Sequence, residues 1–112
     1  MTSVGTLITV GDALQESQLN PDIAVFSDDS FVVTWLDTSQ GESSVLFQRF
    51  DPEGSPLGAQ TVVNVTTGGN PDSPVVESFT DDSFIIAWSY SGDEVEGVFA
   101  RRYEHDGPPI YH

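Results

Sequence analysis

A chain of 112 residues is one domain's worth of sequence, and 38% hydrophobic content with twelve aromatic residues is too rich in core formers for a disordered acidic tail. Eighteen acidic residues against three arginines and no lysine give a formal net charge of -15, which sets the chain against nucleic acid and anionic membrane surfaces. The lack of cysteine excludes disulfides and thiolate chemistry, and no apolar run approaches the roughly twenty residues needed to insert in a membrane.

In chain order, the start MTSVGTLITV has neither a basic region nor a long apolar stretch, so no signal peptide is expected in it. GTLITV at residues 5–10 is β-branched and reads as a first strand. A polar loop leads to the proline-led PDIAVFS, residues 21–27, a second strand. Asp28-Asp29-Ser30 then reads as a tight turn, because Asp and Ser bond their own backbone and Asp tolerates positive φ; a metal or ligand role for the acidic pair is the alternative. FVVTWLD, residues 31–37, is apolar on both faces, and SVLFQRFD, residues 44–51, alternates Val45, Phe47 and Arg49 against Leu46, Gln48 and Phe50. The same order then recurs as GAQTVVNV, PVVESFT, Asp81-Asp82-Ser83, FIIAWSY and GVFARRYE, with no helical period anywhere.

The recurrence is a duplication. Shifting the chain by 53 positions aligns residues 4–56 with residues 57–109 without a gap, matching Phe26 with Phe79, Asp28 with Asp81, Phe31 with Phe84, Trp35 with Trp88, Arg49 with Arg102 and Gly54 with Gly107. One domain, residues 1–112, of two repeats is therefore expected. Strands apolar on both faces need cover on both sides, and without helices that cover is other sheets. The expected fold is all-β: two tandem four-stranded antiparallel units, arranged as β-propeller blades. Each three-stranded block is followed by the strand that would complete it, except the last. Two such units cannot close a ring, so a homo-oligomer is expected, a trimer of six blades or an open filament, with one subunit's leading strand filling the next subunit's gap.

The pattern DDSFVVTW…VLFQRFDPEGSPLGAQTVVN resembles the repeats of about fifty residues in large secreted bacterial proteins, among them adhesins of RTX type. Those repeats look like D-G-[GS]-F-V-V-x-W…G-V-x-x-Q-R-F-D-x-x-G-x-x-x-G-x-x-x-x-V-N. QRFD at residues 48–51 is the closest stretch; RRYE replaces it in the second repeat, and Asp29 and Asp82 stand where the family has Gly. The glycine-rich calcium-binding nonapeptide of RTX proteins is absent. The resemblance implies a propeller-like, non-enzymatic, extracellular or cell-surface module. In architecture the chain is also similar to two-blade lectins that trimerise.

Catalytic chemistry has little to rest on: His105 and His112 lie near the C-terminus without a partnered Ser or Cys, and no phosphate cradle appears. No cofactor is expected, calcium excepted: Asp93, Glu94 and Glu96, in the loop before the last strand, are oxygen ligands of the kind calcium takes, or simply a solvated acidic loop. Trp35 and Trp88, with Tyr90 beside the latter, read either as core between blades or as aromatic platforms for glycan rings. Arg49 and Arg102 each precede an acid by two positions, Asp51 and Glu104, which suggests ion pairs along the strand face or fork donors to sugar hydroxyls. Two functions follow as expectations: a self-assembling structural module, or a multivalent carbohydrate-binding lectin.

Overall fold

The computed structural model describes residues 7, 8, 10, 18–38, 44–63, 69–92 and 96–108. Two antiparallel sheets account for the described strands. The first is built from β1 (Gln18–Val25), β2 (Phe31–Asp37), β3 (Ser44–Phe50) and the short β4 (Thr61–Val62), in the order β1-β2-β3-β4. The second comprises β5 (Gly69–Ser78), β6 (Phe84–Gly92) and β7 (Glu96–Tyr103), in the order β5-β6-β7. Strands form where the β-branched and aromatic runs lie, and a tight acidic turn joins the first two strands of each sheet.

That turn works as its residues suggest. Phe26 donates its N–H to Ser30 and accepts from Asp29, leaving a three-residue loop whose last residue, Asp29, has φ of 72°. Asp82 closes the matching loop with φ of 65°. The preceding carboxylate, Asp28 or Asp81, accepts from the N–H and hydroxyl of the serine two residues on. A second loop of the same hydrogen-bond pattern follows β3 at Asp51–Ser55, with Gly54 at φ of 92°, and another follows β7 at Glu104–Pro108.

Two sequence expectations change. The proline-led strands begin earlier than expected, because an irregular pairing lets each pass its turn residue: the register shifts between Leu19 and Asp22 and between Asp72 and Val75, around Asn20 and Ser73, both at positive φ. The strand expected over residues 5–10 is not formed at the described positions 7, 8 and 10. β-branched residues make a strand only where an edge accepts their hydrogen bonds, and the free edge of β3 already holds β4. The second sheet has three strands rather than four among the described residues.

Because side chains alternate along a strand, each sheet has two faces. Call the face carrying Phe31, Val33 and Trp35 the front of the first sheet; its counterpart in the second carries Phe84, Ile86 and Trp88. The front of the second sheet packs on the back of the first, burying Val32, Leu36, Val45 and Phe47 against Phe84, Ile86, Trp88 and Tyr103. Phe47 meets both Phe84 and Tyr103 edge-on, with ring centroids 5.3 and 4.8 Å apart. The stacking is front to back, so the two outward faces are unlike: a front on the first sheet and a back on the second.

Candidate interaction surface

At the front of the first sheet a smaller cluster of Val33, Trp35, Leu46 and Phe50 is buried, with Phe31 and Val10 packed against it. The ring of Phe31 stacks on Phe50 at 5.2 Å, and that of Phe84 on Tyr103 at 5.2 Å, so the two fronts carry the same aromatic pair. Val10 occupies on this front the place that Val63 takes on the other, 53 positions on; Val63 belongs to the buried cluster that contains Ile86 and Trp88. Next to Val10 lies an open cleft of about 150 Å³, bounded by Val10, Leu19, Pro21, Val33 and Trp35. Trp35 is only 3% exposed, yet its indole Nε1 has no acceptor among the described residues. A buried donor left unmet costs about 1–3 kcal/mol.

Among the described residues the β7 edge of the second sheet is unpaired. Strand β3 receives β4, with Leu46 opposite Val62, Phe47 opposite Thr61, and the N–H of Val63 given to the carbonyl of Val45. On β7 the corresponding residues are Val98, Phe99 and Ala100, and no described strand pairs with them. Val98 is 75% exposed and Phe99 is exposed with it. In the leading segment Leu7 is 93% exposed. An unpaired, apolar strand edge invites addition of another strand.

A polar seam joins the sheets at the turn end. Asp82 reaches across to take hydrogen bonds from both the N–H and the hydroxyl of Ser27. Those bonds hold its carboxyl below the ordinary aspartate value, and the bonds from Ser30 and Ser83 do the same for Asp28 and Asp81. His105 sits edge-on to Phe26 at 4.7 Å, with its Nε2 3.3 Å from the Ser30 hydroxyl and 3.9 Å from the Asp28 carboxylate.

The arginines do not form the pairs expected along their strands. Arg49 donates to the carbonyl of His105 at 3.3 Å, while Asp51 accepts from the N–H groups of Glu53 and Ser55 within its own turn. Arg102 lies over the Phe79 ring at 4.2 Å, donates to Ser83 and pairs with Asp81 at 3.5 Å. The difference has a simple cause: Phe26 and Arg49 meet the following sheet, whereas Phe79 and Arg102 face outward and turn to each other. Trp88 and Tyr90 are buried between the sheets with Phe99 against them, and Trp35 is buried at the front. Of the carboxylates suggested for calcium, Asp93 and Glu94 lie outside the described residues, as does the side chain of Glu96. What sequence reasoning missed is the Ser27–Asp82 clasp: aligned positions carry Thr80 and Asp29, and a contact between repeats leaves no periodic signal. No family model, curated protein or solved structure matches the chain.

Proposed function

We propose that the protein is a non-enzymatic, extracellular repeat module of the propeller type that assembles with further copies of itself by sharing strands. The observation that carries this reading is the open β7 edge. Applying the register of β4 on β3, residues 8–10 of one copy lie along residues 98–100 of another, with Ile8 opposite Ala100 and the Val10 N–H directed to the Val98 carbonyl. Side-chain sizes support that register. Within the chain a large Phe47 faces a small Thr61; across copies a small Ala100 faces a large Ile8. Volume is kept while its source changes strand. Three copies would bring six sheets together, which is within the range of closed propellers.

The test is the mass in solution of the intact chain and of Val98→Pro. By the 53-position shift from Val45, whose carbonyl takes the Val63 N–H, the Val98 carbonyl and N–H face away from β6, and proline there removes an outward donor without touching the β6–β7 ladder. The intact 12.1 kDa chain should run as a discrete multiple, three above all, or as a filament, and Val98→Pro as a folded monomer. A well-folded monomer of the intact chain by light scattering overturns the reading.

The carbohydrate-binding reading rests on the cleft beside Trp35. Recognition of a sugar's hydroxyls needs several convergent polar groups. Four of the five residues around the cleft are Val10, Leu19, Pro21 and Val33, which favours a protein surface as its occupant. A glycan array with a multivalent hit would reverse that preference.

A further inference from the structure

The junction between the two sheets is itself a template for a second, intermolecular one. We infer that the front of the first sheet docks on the back of the second sheet of another copy, closed by a hydrogen bond from Thr80 of one copy to Asp29 of the next. This rests on the shared-strand reading, and it adds a face, a clasp and a partner that strand pairing alone does not require.

The 53-position shift carries residues of the internal junction onto the two outward faces. In the internal junction, Phe26, Val32 and Val45 of the back face pack on Phe84, Ile86 and Trp88 of the front. Shifted, the back face offers Phe79, Ile85 and Val98, and the front that receives them is Phe31, Val33 and Trp35. These six positions stay apolar, whereas Ala24, Leu36 and Tyr90 of the same junction correspond to Glu77, Ser89 and Asp37. Phe79 and Val98 are exposed, as are Ile23 and Val25 at the margin of the receiving front. Val10 already rests against the front cluster, and its counterpart Val63 belongs to the cluster of the internal junction; Val33 and Trp35 are themselves buried in the single chain, so a second copy meets this front first at Phe31, Ile23 and Val25.

The polar groups point the same way. Internally, Ser27 gives its N–H and hydroxyl to Asp82. The shifted pair is Thr80 and Asp29, another hydroxyl and another carboxylate; both are exposed, and neither side chain has a hydrogen-bond partner among the described residues. Asp29 is held at φ of 72°, against 65° for Asp82, so its carboxylate is launched from the same backbone conformation. Both halves of a clasp are thus present in one chain, on opposite outer faces, where they cannot reach each other.

The test varies one exposed position in both directions. Thr80→Asp sets two carboxylates against each other and should weaken association at least about tenfold. Thr80→Lys should tighten it about fivefold, and that gain should disappear in an Asp29→Asn background, which separates the specific pair from general relief of negative charge. In the same titration the Trp35 indole resonance should move with association while that of Trp88 stays in place. A monomeric intact chain would overturn this inference and the shared-strand reading together. If Val98→Pro abolishes association while Thr80→Asp leaves it unchanged, or if the Trp35 resonance is static, the docked face is overturned and the shared strand survives.

Discussion

Gly54 shows how closely single residues set this structure. It sits at φ of 92°, and a Cβ added there would lie 2.6 Å from the Cδ1 of Ile8. Gly58, at φ of 88°, has nothing within 4 Å of the same hypothetical atom. Alanine at Gly58 should cost only the backbone strain of a left-handed residue, about 1–2 kcal/mol. Alanine at Gly54 should cost that much plus the displacement of Ile8, and chemical denaturation of the two variants should rank them in that order. The clasp residue Asp82 makes a pH prediction with a definite sign. Its pKa is lowered from 3.8, first by the Ser27 hydroxyl and then by the Ser27 N–H. A lowered folded pKa means that the stability it brings is present above the ordinary carboxylate value and is lost as the pH falls through the folded one, below about pH 4. Ser27→Ala removes the hydroxyl donor, so the Asp82 carboxyl should titrate at higher pH in carbon-detected NMR, with Asp81 unmoved as the internal reference.

Strands were readable from sequence where local chemistry decides them and unreadable where a neighbour does. FVVTWLD forms β2 residue for residue, and the Asp-Asp-Ser turns form with the expected serine bonds and positive φ. Two apolar faces implied packing on both sides, and both faces of β2 are buried. By contrast, Asn20 and Ser73 occupy equivalent bulges without sharing an identity, so alignment gave no hint of them. The leading residues 7, 8 and 10 have strand chemistry but no strand geometry, because pairing is decided by an available edge. The aromatic and arginine candidates mislead for a related reason. Aligned residues have different surroundings when one repeat is covered and the other is not: Phe26 is 4% exposed and Phe79 is 38% exposed. Any pairing of Arg49 and Arg102 with their own strands' acids was decided by that difference, which no single strand contains.

For the whole molecule, charge sets the terms of association. A chain at -15 repels its copies, and the repulsion between exposed carboxylates is screened once the Debye length falls from about 30 Å at 0.01 M salt to about 3 Å at 1 M. Self-association should therefore tighten steadily as sodium chloride rises from low to molar concentration, read by sedimentation velocity; association that is flat or falls with salt would contradict it. Exposed Val98, Phe99 and Leu7 contribute apolar area that screening leaves intact.

The contact of Phe47 with Thr61 has a further consequence for a duplicated chain. Tandem copies of one sequence are prone to exchange equivalent strands, since each edge offers every other edge the same ladder. Here the edges are not interchangeable. If residues 8–10 strayed onto β3, Ile8 would confront Phe47 and overfill the site; if residues 61–63 strayed onto β7, Thr61 would meet Ala100 and leave a void. On the shared-strand proposal, divergence between the two repeats would be the key that keeps the order of the units, with correct succession set by the sizes of four side chains.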